Sequence, residues 1–250
     1  MKNAENQLEL KLNVLSFNAN ALQEASIQTL VQFFQEAAWL HAEKLNYGSD
    51  LLAKKNLAWV LSDLKLEIFR YPKWQEEIIV RTWFCGIRRI FAARDFEFYS
   101  NKYELLGHGS SNWFIIDINT RKPKRPEIYN DMMKYIYPKN IMDNITTKIE
   151  FNEPLNEIDK RKIHFSDIDW NRHVNNTNYL AFLLDALGEK FNTENIITNL
   201  YIKYLSELKY NQEFVILESK KNTEISSFRF LNLNTNKSAA EIEIMYKKRK

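Results

Sequence analysis

One order of predicted elements occurs twice along these 250 residues, and it limits the folds open to the chain. Each half shows a strand, then one long helix, then four strands, judged from apolar residues that alternate or recur at i, i+3 and i+4. Neither half alternates helices with strands, which disfavours a doubly wound parallel sheet. The pattern predicts an α+β protein in which each half combines a long helix with antiparallel strands.

The repeat also predicts two domains, since 250 residues suffice for two of ordinary size. The first half shows a helix at 26–45 and strands at 8–15, 57–70, 77–85, 91–99 and 105–118. The second half shows a helix at 176–191 and strands at 162–165, 197–208, 213–220, 225–233 and 238–247. Prolines and charged residues mark the connection between them. We expect an N-terminal domain over 1–135, a linker over 136–154 and a C-terminal domain over 155–250.

A polar stretch stands directly before the second helix. It reads Asp169-Trp170-Asn171-Arg172-His173-Val174-Asn175-Asn176-Thr177-Asn178-Tyr179. Asn175, Asn176 and Thr177 are candidates for the helix N-cap. His173 is therefore predicted to lie just ahead of the helix N-terminus, where free backbone N–H groups favour a developing negative charge. Residues of these types also act as caps and turn residues alone, and the residues by themselves favour that interpretation.

This stretch resembles the active-site motif of the acyl-acyl-carrier-protein (acyl-ACP) thioesterases, Asp-x-Asn-x-His-Val-Asn-Asn-x-x-Tyr. Residues 25–37 resemble the first helix of that family, and 56–83 resemble the strand pair that follows it. Three motifs in the family's order make the resemblance specific, and the Lys-, Asn- and Ile-rich composition favours the bacterial type. The resemblance implies two tandem hotdog folds, each a long helix wrapped by a curved antiparallel sheet. It also implies that the polar stretch is catalytic rather than a cap alone.

The resemblance supplies a further acidic residue. Residues 204–210, Tyr-Leu-Ser-Glu-Leu-Lys-Tyr, resemble the family's strand that carries a catalytic Glu followed by Cys. By this match Glu207 is the general base, with an exposed strand carboxylate as the alternative interpretation. Leu208 stands where many members have Cys, which excludes a Cys nucleophile at that position. The predicted catalytic residues are Asp169, Asn171, His173 and Glu207.

Hydrolysis of a thioester needs a base that activates water and donors that stabilise the oxyanion. A carboxylate or an imidazole can be the base, and backbone N–H groups near 174–176 can hold the oxyanion. Asn171 is expected to orient water or substrate, and Asp169 to fix the imidazole of His173 or to position the water. The leaving thiol, with a pKa of about 8.5, needs little protonation.

Placing one half on the other predicts a single active site. With Ser26 at Asn176, the positions of Asp169, Asn171 and His173 are taken by Ala19, Ala21 and Gln23. The first half therefore lacks the polar residues, and we expect it to serve as structure and acyl pocket. Candidate substrate-binding residues are Phe34, Ala38 and Trp59 in the first half and Asn175 in the second. Core packing is the interpretation that the residues themselves favour for the three in the first half.

Basic clusters point to an acidic partner. The net charge is only +3, but three clusters occur: Arg121, Lys122, Lys124 and Arg125; Lys160, Arg161 and Lys162; Lys247 to Lys250. They are either solvated loops and a terminal segment or surfaces that dock an acidic acyl carrier protein. The single cysteine, Cys85, cannot form an internal disulfide, and the chain contains no Gly-rich phosphate-binding motif.

These features predict an enzyme that hydrolyses fatty acyl-ACP thioesters, releases free fatty acid and holo-ACP, and so ends fatty acid elongation. The alternatives are an acyl-CoA thioesterase and a non-catalytic acyl-binding hotdog protein. We expect no cofactor or metal beyond the phosphopantetheine arm of the substrate, and no nucleic acid partner. No apolar run reaches about 18 residues, and the first residues are polar. We therefore expect a cytoplasmic protein without a membrane span, as a monomer or homodimer.

Overall fold

The structure is a computed structural model that describes residues 6–142, 147–152 and 154–249. The chain divides into two compact units, Met1–Thr146 and Thr147–Lys250. This division falls inside the expected linker, 136–154, whose bounds stay a prediction. Residues 143–146 and 153 of that linker, and the ends 1–5 and 250 of the two expected domains, lie outside the described residues.

Unit 1 combines one long helix with an antiparallel sheet. Its elements are β1 (Gln7–Asn13), α1 (Ile27–Lys44), α2 (Ser49–Ala53), β2 (Leu57–Ile68), β3 (Glu77–Arg88), β4 (Phe91–Ser100), β5 (Leu105–Asp117), β6 (Pro123–Lys124) and α3 (Ile128–Met132). The strand order is β1-β3-β4-β5-β2, with β6 paired to β5. All of these pairs are antiparallel, as the repeat predicted.

Helix α1 packs closely on this sheet. It begins at Ile27 because the Ser26 hydroxyl accepts the Thr29 backbone N–H at 3.0 Å. On its buried face Phe34 stacks on Phe96 of β4, with ring centroids 4.6 Å apart. A Cβ at Gly109 would lie 2.7 Å from a backbone carbonyl and 2.9 Å from the Phe34 ring. Only glycine therefore allows this approach of helix and strands.

A polar pair, His41 of α1 and Arg94 of β4, is buried where the helix meets the sheet. Arg94 Nη1 donates to His41 Nδ1 at 2.7 Å and to Thr82 Oγ1 at 3.1 Å. His41 is fully buried and Arg94 nearly so. Burial, aided by the charges of Arg94 and Lys44, lowers the pKa of His41 to about 2. His41 is therefore a neutral residue of the core.

Unit 2 repeats the order of strand, long helix and four strands. Its elements are β7 (Asn156–Lys162), α4 (Asn178–Glu194), β8 (Asn195–Tyr204), β9 (Glu213–Lys220), β10 (Ile225–Asn232) and β11 (Lys237–Lys248). The strands pair antiparallel in the order β8-β11-β10-β9-β7. The first turns of α4 pack on this sheet, where Phe182 lies 5.2 Å from Phe214 and Tyr179 lies 5.4 Å from Phe230.

Unit 2 differs from the sequence prediction in its first strand, in its helix and in β8, which ends at Tyr204 rather than 208 and leaves Glu207 outside the strand. The first strand runs over Asn156–Lys162 rather than 162–165, because polar residues pair with β9 at the edge of the sheet. The apolar signal came instead from Ile163, which is buried just beyond the strand, and from Phe165, which is exposed. Helix α4 also extends to Glu194 across a non-helical Gly188, whose φ of 75° suits glycine.

Among the described residues, no helix is both long and apolar enough to cross a bilayer.

Candidate active site

A tight loop ahead of α4 presents His173. The Asp169 N–H donates to the His173 carbonyl and the Arg172 N–H donates to the Asp169 carbonyl, both at 2.9 Å. Arg172 takes a positive φ of 63°, which reverses the chain direction. The Asp169 carboxylate accepts the Asn171 backbone N–H at 2.8 Å, so its side chain holds the turn together.

Glu207 comes from the segment after β8. The Val174 N–H donates to the Leu208 carbonyl at 2.9 Å and joins this segment to the loop. His173 Nε2 then lies 2.8 Å from Glu207 Oε2. The imidazole is 20% exposed and the carboxylate 39%, so both can be reached from outside. The structure thus brings these two predicted residues into direct contact.

Asp169 and Asn171 form a second contact within the same loop. The Asn171 side-chain amide lies 3.5 Å from the Asp169 carboxylate, in addition to the backbone bond. The contact at His173 Nε2 is made by Glu207. The predicted roles of Asp169 toward the imidazole and of Asn171 toward water stay predictions.

Asn175 holds the turn that leads into α4, whose N-cap is Thr177. Its Oδ1 accepts from both the backbone N–H and the hydroxyl of Thr177 at 2.9 Å. Two of the three amides expected near the oxyanion are engaged, since Val174 donates to Leu208 and Asn175 to Asp167. No described residue accepts the Asn176 N–H, which leaves it as the candidate donor for an oxyanion. A substrate-binding role for Asn175 stays a prediction.

The pocket candidates in unit 1 occupy packed positions. Phe34 and Ala38 are buried on one face of α1. Trp59 lies in a different cluster, where its indole N–H donates to the Tyr47 carbonyl at 2.9 Å and its ring stacks on Tyr129. These contacts are those of core residues, and acyl binding by the three residues stays a prediction.

Sequence reasoning missed two residues at the site. The Tyr204 hydroxyl donates to the Asn176 carbonyl at 2.9 Å and ties the end of β8 to the start of α4. Lys209 lies opposite His173 in an antiparallel bridge. Both fall within residues 204–210, but their place depends on a pairing between distant segments, for which local pattern holds no signal.

The two units repeat this loop, with a correction to the predicted correspondence. The antiparallel bridge Ile168↔Val174 is matched by Ala19↔Ala25, and Arg172 is matched by Gln23, which also has a positive φ. The offset is therefore one residue smaller than predicted. Ala19, Ala21 and Gln23 do not stand at the catalytic positions; Asn20, Leu22 and Glu24 stand at those of Asp169, Asn171 and His173. The prediction erred because it aligned Ser26 with Asn176, whereas the matching bridges place Ser26 at Asn175, and α4 begins only at Asn178, after its N-cap Thr177.

The same correspondence extends to the second segment. The Ala25 N–H donates to the Pro72 carbonyl as Val174 does to Leu208, and Glu24 forms a bridge with Lys73 as His173 does with Lys209. Lys73 Nζ lies 2.7 Å from Glu24 Oε1. Unit 1 thus has an ion pair at the place where unit 2 has its imidazole and lysine.

Comparison with known proteins agrees with this architecture. A family model described as the acyl-ACP thioesterase N-terminal domain matches residues 5–136, and the C-terminal domain model matches 136–248. An oleoyl-acyl carrier protein thioesterase 2 of Arabidopsis thaliana is 26% identical over 200 residues, or 72% of this chain and 54% of the relative. An oleoyl-acyl carrier protein thioesterase of Coriandrum sativum is 24% identical over 222 residues, or 80% and 59%. The chain thus spans between half and two thirds of their length.

Two solved structures show the fold. An acyl-ACP thioesterase from Bacteroides thetaiotaomicron superposes with a TM-score of 0.91 at 20% identity, over 99% of this chain and all of that one. A 12:0-ACP thioesterase from Umbellularia californica gives 0.85 at 17% identity, over 97% and 98%. The predicted α+β class with two tandem hotdog folds is confirmed.

Proposed function

We propose, because the chain belongs to the acyl-ACP thioesterase family, that it hydrolyses fatty acyl-ACP thioesters, releases free fatty acid and holo-ACP, and so ends fatty acid elongation. The observation that carries this proposal is the 2.8 Å contact between His173 and Glu207 in the unit that holds the family's motif. The plant relatives are named for oleoyl-ACP, and the Umbellularia protein for a 12:0-ACP.

The proposed reaction is direct attack by water. Glu207 accepts a proton from water while the oxygen forms a bond to the thioester carbonyl carbon. The carbonyl oxygen becomes an oxyanion, and the proposed donor to it is the Asn176 N–H, which no described residue accepts. Collapse of this intermediate breaks the C–S bond, and the thiolate takes the proton from Glu207. His173 holds the carboxylate in place through Nε2.

Two positions bear on whether a thiol could attack instead of water: Leu208, where many family members have Cys, and Cys85. The surroundings of both support attack by water. Leu208 is fully buried and its carbonyl binds Val174, so the side chain at this position faces the core. Cys85 lies in unit 1, where burial, with the nearby Asp95 carboxylate, raises its pKa. A thiol held in its protonated form is a poor nucleophile.

The proposed partner is an acidic acyl carrier protein. All four residues of the 121–125 cluster are exposed, and Lys122 and Arg125 form no ion pair with a described residue. In the 160–162 cluster, by contrast, Arg161 pairs with Asp159 and Asp185, and Lys160 lies 3.6 Å from Glu213. In the third cluster, Lys248 pairs with Glu194, and Lys250 lies outside the described part of the chain. The 121–125 cluster is therefore the favoured dock.

The test is release of free thiol and fatty acid from a panel of acyl-ACPs, with the matching acyl-CoAs alongside. Faster turnover of the carrier substrates supports the proposal, and the preferred chain length identifies the substrate. Equal turnover of acyl-CoA indicates a general acyl thioesterase. Fatty acid binding without turnover of either substrate indicates a non-catalytic binding protein and overturns the proposal.

We also propose that hydrolysis needs no resident cofactor or metal. Turnover is then unchanged after dialysis against a chelator, and loss of activity that a metal restores would contradict it. Cytoplasmic location and the monomeric or dimeric state stay predictions.

A further inference from the structure

Lys209 stands beside the His173–Glu207 pair. It lies opposite His173 in an antiparallel bridge, next to the hydrogen bond from Val174 to Leu208. His173 and Lys209 therefore form a non-hydrogen-bonded pair, the type in which side chains of opposed residues stand closest. The backbone thus directs the lysine side chain toward the imidazole.

The burial of the neighbouring Leu208 indicates the same direction for the Lys209 side chain. Leu208 is fully buried, and side chains alternate sides along an extended segment. Glu207 and Lys209 consequently share the side opposite to Leu208. Glu207 reaches His173 from that side at 2.8 Å, so Lys209 stands on the side where the reaction is proposed to occur.

Unit 1 shows how far a lysine reaches from this position. Lys73 corresponds to Lys209 and Glu24 to His173, and the Lys73 ammonium lies 2.7 Å from the Glu24 carboxylate. The Lys73 side chain is 59% exposed, and its ammonium still reaches the side chain of the opposed residue. In unit 2 the Lys209 ammonium forms no ion pair with a described residue, which leaves it to bind an anion of the substrate.

We propose that Lys209 is a further catalytic residue, whose ammonium binds the negative charge that develops on the thioester carbonyl oxygen. As water forms the C–O bond, the π electrons of the carbonyl move to its oxygen, and this charge faces the ammonium. The charge returns to the carbonyl when the C–S bond breaks and the thiolate leaves. This inference rests on the hydrolysis proposed above and adds a cation to the Asn176 N–H as oxyanion donors.

Three variants test the proposal by single-turnover and steady-state kinetics on acyl-ACP. Lys209→Met keeps the length of the side chain and removes the charge. We expect it to lower kcat about tenfold, which is less than the loss on removing a fully enclosed oxyanion donor. KM changes little, because the charge is absent from the ground state. Lys209→Arg restores much of the rate. Lys237→Met, at an exposed lysine at the start of β11, leaves kcat unchanged.

A second measurement does not depend on turnover. The His173 imidazole is titrated by NMR in each variant, with its other charged neighbours, Glu207, Asp169 and Arg172, left intact. Removal of the Lys209 charge moves the titration to higher pH, since a nearby cation disfavours the imidazolium, and Lys237→Met does not. If the wild type is active and Lys209→Met has the same kcat, the proposal is overturned. An unchanged titration of His173 in Lys209→Met overturns it as well. Absence of wild-type turnover on any acyl thioester overturns the hydrolysis itself and the role with it.

Discussion

Nε2 of His173 lies 2.8 Å from Oε2 of Glu207, although the two residues belong to distant segments of unit 2. The contact depends on the hydrogen bond from the Val174 N–H to the Leu208 carbonyl, which fixes the loop before α4 against the segment after β8. The pair is thus held by backbone structure on both sides. It combines a group that can accept a proton from water with a group that holds it in place.

The first prediction concerns the chemical role of this pair. Glu207→Gln keeps the shape of the side chain and removes the base, and His173→Ala removes its partner. Each lowers kcat on acyl-ACP by about 10²–10⁴-fold, the usual contribution of a general base. The thermal midpoint changes little, because both side chains are partly exposed. Glu224→Gln, at an exposed carboxylate elsewhere in unit 2, keeps wild-type kcat. Full activity in both site variants would remove the pair from the mechanism.

A second prediction separates positioning from stability. Tyr204→Phe deletes the hydrogen bond to the Asn176 carbonyl and loosens the start of α4. It lowers the free energy of unfolding by about 1 kcal/mol. It also lowers kcat several-fold, because the loosened carbonyl adjoins the Asn176 N–H and the loop that carries His173.

The control is Tyr201→Phe on the same strand. Its hydroxyl donates to the Thr147 carbonyl at 2.8 Å and accepts the Thr147 N–H at 3.1 Å, away from the loop. Because two hydrogen bonds are lost, we expect a loss of stability at least as large in urea unfolding and an unchanged kcat. Equal kcat values for the two variants would show that Tyr204 serves the fold alone.

Local pattern predicted the elements well and failed where a contact joins distant segments. The long helices, most strands and the polar stretch follow from periodicity and capping residues within a short window. Strand β7 was misplaced because its polar residues are held by backbone pairing with β9. The correspondence of the halves was off by one residue because α1 begins directly after Ser26, whereas α4 begins at Asn178 after its N-cap Thr177, so the two helix starts do not align. Lys209 was missed because its pairing with His173 is non-local.

A third prediction tests the proposed dock. Lys122→Glu combined with Arg125→Glu reverses two charges of the 121–125 cluster, and KM for acyl-ACP rises roughly five- to tenfold with little change in kcat. Higher ionic strength reduces the difference, since exposed charges are screened. The matched control reverses Lys54 and Lys55, which are also exposed in unit 1. A rise of the same size in the control would indicate net charge rather than a specific surface.

The last prediction concerns stability against pH, through His41. The pKa of this residue is about 2 in the folded chain, lowered chiefly by burial, against an ordinary value of 6.5. Between pH 2 and 6.5, therefore, the unfolded chain binds a proton at this position and the folded chain does not. The stabilisation is fully present above pH 6.5 and declines as the pH falls toward 2, with a slope of about 1.4 kcal/mol per pH unit. His41→Gln removes this part of the slope in urea unfolding measured between pH 6.5 and 4.5, whereas His164→Gln, at an exposed position, retains it. The same slope in wild type and His41→Gln would mean that other groups govern acid unfolding and that His41 is not held neutral by the core.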